Sequence, residues 1–324
     1  MSFWSGKQVL VTGGAGFIGS HLVELLVSQG AKVRVADSLA NGNLSNLGAV
    51  KDTVEFVQAD LSSLLSCREA MRGMETVFNL AAWVGGVDYN VKHPGTMFYK
   101  NALINTLMLE AARLEDVEEY LCVSSACVYP RYCSIPTPES EGFLDVPEPT
   151  NIGYGWAKRM AEVQAQCYAE EFGKKIAIVR PYNSYGPRDH FDPEKSHVIP
   201  AIIKRIFDGE DPLTVWGDGE QSRAFVYVTD LARGMLLALE KAPNADPLNI
   251  GTEEEIKIKD LVHLIVGVSG KGPRVFFDTS KPSGQPRRNA DITKAKTLIG
   301  YEPEVSLEEG LRKTIDWYAQ AREG

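Results

Sequence analysis

Thr12-Gly-Gly-Ala-Gly-Phe-Ile-Gly19 follows the strand-like run Lys7 to Thr12 and opens an apolar helical pattern from Ile18 to Gln29. A G-x-G-x-x-G match carries meaning in this strand-to-helix context. Glycines there permit a tight turn, close approach of a pyrophosphate and close helix packing, while the helix start offers backbone donors and partial positive charge. About 20 residues on, the second strand pattern ends at Asp37, whose carboxylate can accept hydrogen bonds from an adenosine ribose and repels a 2′-phosphate. That favours NAD over NADP, although the same carboxylate could instead cap the turn Ser38 to Gly42. Asp60 and Leu61 stand after the next strand pattern, placed to meet the adenine.

Outward from this loop, short apolar runs alternate with helical patterns: Val9 to Val11, Lys32 to Ala36, Val54 to Val57, Thr76 to Leu80, Glu119 to Ser124 and Lys175 to Arg180. Such alternation predicts an α/β fold, a Rossmann-type doubly wound parallel sheet with helices on both faces. Asn101 to Leu114 and Tyr154 to Phe172 read as long amphipathic helices. After Pro181 prolines and glycines thicken, which predicts a smaller α/β substrate-binding domain over 181–324 beside an NAD-binding domain over 1–180. Alternation at Ala224 to Val228 and Pro247 to Ile250 predicts that segments near 224–250 return to the first domain.

The chain has 324 residues, 44% hydrophobic and 24% charged, with a net charge of -9. An acidic balance argues against nucleic acid or an anionic membrane surface as the main partner, and an anionic substrate would need locally placed arginines. No run approaches the ~18 apolar residues of a membrane span. Met1 to Gly6 leads directly into a strand pattern, with no room for a secretory signal core. The five cysteines form no C-x-x-C pair and lack histidines at zinc-ligand spacing. The expectation is a cytoplasmic protein with free thiols and no metal.

Tyr154-Gly-Trp-Ala-Lys158 puts a phenol and an ammonium one helical turn apart on one face. A nearby ammonium favours phenolate, drawing the tyrosine toward neutral pH as a base for a sugar hydroxyl. The spacing alone is common on helix surfaces. Downstream of the glycine loop and of Ser124-Ser125 it becomes specific.

Over nearly its whole length the chain resembles the extended short-chain dehydrogenase/reductase family, the nucleotide-sugar epimerases and dehydratases. The resemblance is carried by TGGAGFIGSH, NLAA at Asn79 to Ala82, SSACVYP at Ser124 to Pro130, YGWAK, RPYNSYGP at Arg180 to Pro187, and WGDGEQSRAFVYVTDLARG at Trp216 to Gly234. It implies a catalytic set of Ser125, Cys127, Tyr154, Lys158 and His197. It implies an NAD site made by Gly13, Gly16, Phe17, Ile18, Asp37, Asn41, Asp60, Leu61, Leu80, Ala82, Asn101, Tyr154 and Lys158. It also implies a nucleotide-sugar site at Asn183, Val198, Arg205, Trp216, Arg223, Lys281 and Arg288, and a homodimer paired through the two long helices.

Cys127 narrows the chemistry. Where the family's 4,6-dehydratases carry an aspartate and a glutamate, this chain has Ala126 and Cys127, so dehydration is disfavoured. A thiol can exchange protons with a carbon next to a ketone. Cys127 with His197 resembles the cysteine and histidine of GDP-L-fucose synthases, and SSACVYP also resembles the GDP-mannose 3,5-epimerases. Lys281 to Arg288 resembles the fucose synthase C-terminal segment. The preferred expectation is a redox-neutral epimerase of a GDP-sugar. An epimerase-reductase of the fucose synthase kind and a 4-epimerase in which Cys127 only packs stay open, while an NAD-sensing scaffold is disfavoured by the complete Ser125, Tyr154 and Lys158 group. A cysteine after a strand is also an ordinary core residue.

Overall fold

The first strand, β1 (Gln8–Thr12), has Val9, Leu10 and Val11 completely buried, because helices cover both faces of the sheet it centres. A computed structural model describes residues 2–192, 196–281 and 286–323. Pro282 to Gln285, within the C-terminal stretch that resembles fucose synthases, and Pro193 to Lys195, before His197, lie outside the described residues.

β1 pairs in parallel with β2 (Lys32–Asp37), and β2 with β3 (Glu55–Gln58). On its other side lie β4 (Thr76–Asn79), β5 (Glu119–Val123), β6 (Lys175–Pro181) and an edge strand, Leu248–Ile250, all parallel. The chain thus leaves β1 toward β2 and later resumes at β4. This reversal opens a crevice at the carboxyl ends of β1 and β4, where ligands bind in doubly wound sheets. Thr12 and Asn79 are in register there, and the Thr12 hydroxyl donates to Asn79 Oδ1 (2.8 Å) and accepts from Ala81 N (3.1 Å).

Helix α1 (Phe17–Ser28) and the helix Val228–Lys241 cover one face; Leu64–Met71, Pro94–Leu114 and Ile152–Phe172 cover the other. A third apolar core belongs to the second half of the chain, under helices Val198–Phe207, Ile258–Ser269 and Leu307–Glu323. In Val198–Phe207 the buried Ile199, Ile202, Ile203 and Ile206 form one helical stripe, each side chain worth ~1.5–3 kcal/mol of burial. Leu248–Ile250 joins the large sheet. Ala224 to Val228 does not: Ser222–Ala224 pairs with Glu255–Lys257 and Arg287–Arg288, and Val226–Tyr227 pairs with Ser184–Tyr185, as small separate sheets.

Candidate active site

At the crevice, the glycine loop is shaped by contacts that admit no side chain. A Cβ on Gly19 would lie 2.2 Å from the Gly13 carbonyl oxygen, so α1 seats directly on the loop only because residue 19 is glycine. Gly13 itself adopts φ +65°, a left-handed conformation, with the backbone of Leu80 and Ala81 3.1 Å from where a Cβ would stand. Gly16 is the N-cap of α1 and no side chain caps the helix, which leaves the N–H groups of Phe17, Ile18 and Gly19 without intrahelical acceptors. These donors suit a pyrophosphate.

Asp37 ends β2 with its carboxylate turned into the loop. One oxygen accepts from Ala15 N (3.1 Å) and the other from Leu39 N (2.8 Å), and a Cβ on Gly42 would lie 2.9 Å from both oxygens. The capping reading is thus seen directly, and each oxygen retains a lone pair that a ribose hydroxyl could use. Asn41 lies in the following loop; Asp60 is exposed after β3 and accepts from Ser62 N; Leu61 is buried. Leu80 and Ala82 are half-buried after β4. The clefts and donors of this end fit NAD as the residues stand.

Asn101 has a positioning task. Its side chain accepts from Trp83 N (3.0 Å) and donates to Trp83 O (2.9 Å) and Met97 O (2.8 Å), clamping the loop that carries Ala82.

The candidate reactive group assembles where β5 ends against the helix Ile152–Phe172. Ser125 caps the short turn Ala126–Val128 by accepting from Cys127 N (3.1 Å), and its hydroxyl also hydrogen-bonds the Tyr154 phenol. Gly155 brings the helix flush with this turn, since a Cβ there would lie 2.5 Å from Cys127 O. Lys158 is buried, donates to Val123 O (2.7 Å) and stands 5.5 Å from the Tyr154 ring centre. Burial pushes its pKa down to about 8, against the opposing pull of Cys122, Cys127 and Glu162. The Tyr154 phenol is pushed up, first by burial and then by Cys127, with the Ser125 bond acting in the opposite sense. The expected drift of Tyr154 toward neutrality is therefore absent from the protein alone, where burial is the largest influence on the phenol.

His197 is the N-cap of Val198–Phe207, and Val198 begins that helix half-buried. His197 keeps exposed surface, and desolvation and then His190 lower its pKa. No hydrogen bond joins it to Cys127 among the described residues. Arg223 and Arg288 are cross-strand partners, and burial followed by the Arg288 charge lowers the Arg223 pKa. Arg223 donates to Ser222 O (2.6 Å) and Arg288 to Ala126 O, next to Cys127. Among the described residues these two adjacent guanidiniums hydrogen-bond to carbonyls, an arrangement that suits a bidentate anion. Asn183 is half-buried and donates to Ala224 O (3.4 Å). Trp216 is 62% exposed with the Lys281 ammonium 5.9 Å from its ring centre. Arg205 points elsewhere: its guanidinium grips Glu210 and donates to Thr214 O (2.5 Å), closing the turn after its own helix. Among the described residues no cluster could hold a metal ion, and no helix is long and apolar enough to cross a membrane.

One network was not assembled by motif reading, although Ser124, Tyr129 and Arg180 lie in quoted motifs. Glu162, completely buried, pairs bidentately with Arg180 (2.9 and 2.7 Å) and accepts from Ser124 Oγ. Arg180 also reaches the Tyr129 hydroxyl (3.0 Å) and Glu139 O (2.7 Å), and Tyr129 donates to Asn249 Oδ1 (2.6 Å). Its sequence signals were a glutamate four residues after Lys158 and an arginine ending an apolar strand.

The model of the NAD dependent epimerase/dehydratase family matches residues 9–251. The chain is 32% identical over 322 residues to a dTDP-4-dehydro-6-deoxy-D-allose reductase from Streptomyces bikiniensis, covering 97% of each chain. It is 32% identical over 329 residues to the GDP-L-fucose synthase of Escherichia coli K12, covering 98% of each. Its structure superposes on a UDP-glucose 4-epimerase from Thermotoga maritima, determined with UDP-glucose, with a TM-score of 0.86, 33% identity and coverage of 97% and 99%.

Proposed function

The chain belongs to the NAD-dependent epimerase/dehydratase family, and from that premise we propose that it is a redox-neutral epimerase of a GDP-sugar, of the GDP-mannose 3,5-epimerase kind. The observation that carries the reading is Cys127, which sits one hydrogen bond from Ser125 and against the Tyr154 helix, where a sugar oxidised at C4 would present an acidic carbon. NAD, held by the glycine loop and Asp37, supplies the hydride acceptor and donor and a positive charge.

Tyr154 takes the proton of the sugar 4-hydroxyl, with Ser125 hydrogen-bonding the same oxygen and the Lys158 ammonium favouring the phenolate. The resulting ketone acidifies C3 and C5. Cys127 removes a proton from one face and His197 returns one to the other, after which Tyr154 gives its proton back to the C4 oxygen. Arg223 and Arg288 hold the diphosphate, Asn183 lies beside it, and Trp216 with Lys281 flanks the nucleobase.

A second reading, an epimerase-reductase on a GDP-4-keto sugar, is favoured by the similarity to a fucose synthase and a keto-sugar reductase. Against it stands Asp37, whose fixed carboxylate disfavours the 2′-phosphate of NADPH. The two readings separate in one assay: the purified protein is given GDP-, UDP- and dTDP-sugars with and without NADPH, and products are resolved by NMR. An isomer formed with no NADPH consumed supports the epimerase. Stoichiometric consumption with a 4-keto sugar replaces it by the reductase.

The helices Pro94–Leu114 and Ile152–Phe172 pack on each other and expose Tyr99 (64%), Trp156, Met160 and Val163, the last three at i, i+4, i+7 of one stripe. An apolar stripe of this kind fits a second copy of the chain, and cytoplasmic residence accords with the free cysteines.

A further inference from the structure

The buried pair Glu162–Arg180 lies behind the reactive group, touching neither the glycine loop nor the substrate arginines. Glu162 stands four residues after Lys158, one turn along the same helix. It is completely buried, and three donors converge on it: two from Arg180 and the Ser124 hydroxyl. Ser124 is covalently joined to Ser125, and Lys158 is bound to Val123 O on the same short stretch. One carboxylate therefore holds the Ser124 hydroxyl beside Ser125 and acts through its charge on the Lys158 ammonium. Arg180 fixes the carboxylate in turn, because its other hydrogen bonds anchor it to Tyr129 and Glu139 O.

We propose that Glu162 is a positioning residue that keeps Lys158 as an ammonium and holds it, with Ser125, at the Tyr154 phenol. This rests on the reading of Tyr154 and Lys158 as the proton-transferring pair. The groups facing Lys158 come from every element packed on it: Cys122 from β5, Cys127 from the turn beyond it, and Tyr154 and Glu162 from its own helix, with Arg180 of β6 behind Glu162. Among them Glu162 is the one carboxylate. Burial works against the ammonium, and the charge of Glu162, on a side chain fixed by Arg180 and Ser124, works for it.

The test reads Lys158 directly. Protein carrying 13C at lysine Cε is titrated by NMR in the presence of NAD, with Lys158→Met assigning the resonance. In the wild type it titrates far below the exposed lysines. Glu162→Gln keeps the shape and the Ser124 contact but removes the charge, and lowers the midpoint by on the order of one pH unit. Glu162→Gln/Arg180→Gln leaves no buried charge unpaired and so guards against misfolding of the single variant; it lowers the midpoint by less, because a positive charge is removed with the negative one. Midpoints that stay at the wild-type value in the folded variants overturn the proposal and leave Glu162 a structural residue. Should the midpoint move while no nucleotide-sugar is converted by the wild type, the functional reading falls and this one stands.

Discussion

Replacing Arg180 by methionine strips the guanidinium from a fully enclosed site while keeping an unbranched apolar stem. Glu162 then keeps only Ser124 of its three donors, and Glu139 O loses a bond, whereas Tyr129 retains Asn249. Leaving one member of a buried ion pair uncompensated costs ~3–5 kcal/mol, a large part of a domain's total stability. The double replacement Arg180→Met/Glu162→Met removes the uncompensated charge, and apolar substitutes for buried pairs are often neutral in stability. It should recover most of the loss, giving a coupling energy of about 2 kcal/mol or more. Equilibrium urea unfolding of the four proteins, followed by circular dichroism with NAD at fixed concentration, supplies the cycle. A single Arg180→Met that unfolds within about 1 kcal/mol of the wild type, as an exposed pair would allow, refutes the claim that this pair is a closed electrostatic unit.

Other consequences are sharper in sign than in size. Gly19→Ala forces a methyl into the Gly13 carbonyl and should weaken NAD binding more than ~10-fold, measured by calorimetry, if the interior loss exceeds 1.4 kcal/mol. Asp37→Asn, by removing the anion that faces a 2′-phosphate, should narrow the ratio of NAD to NADP affinity in the same experiment. Asp189 is buried, accepts from His190 N, and has its pKa raised by burial to about 7. A raised carboxylate pKa gives stability that is present at acid pH and is lost as pH climbs from about 4 through 7. Asp189→Asn should therefore gain on the wild type over that window by on the order of 2–4 kcal/mol and level off above it. Met160→Glu/Val163→Glu, on the exposed stripe, should shift the sedimentation coefficient from dimer to monomer with the NAD affinity unchanged; a monomeric wild type removes the dimer proposal.

The parts that local spacing encodes were readable from sequence. The glycine loop, the turn Ser125 to Cys127 and the pair Tyr154 and Lys158 each lie within a few residues, so one backbone geometry fixes their relation. The parallel character of the sheet followed from the alternation of strands and helices, whereas its strand order came only from the structure. Side-chain partners from distant segments were not readable. Asn101 serves the Trp83 loop 18 residues earlier, and Arg205 closes a turn with Glu210 and Thr214 rather than standing free. The Glu162 network joins β6, the reactive helix, Tyr129 and Asn249, the last pair 120 residues apart. Nothing in periodicity marks a buried charge; only packing reveals it. Tyr154 illustrates the same limit, since its neighbours favour phenolate by sequence while its burial, visible only in three dimensions, opposes it.

The central claim is that Cys127 exchanges a carbon-bound proton after transient oxidation at C4. Incubation with GDP-mannose and NAD in deuterated water, read by NMR and mass spectrometry, tests it directly. Deuterium at C3 or C5, with total NAD unchanged and uptake abolished in Cys127→Ala, is the predicted result. Inversion at C4 with no deuterium taken up would contradict it and return Cys127 to the core.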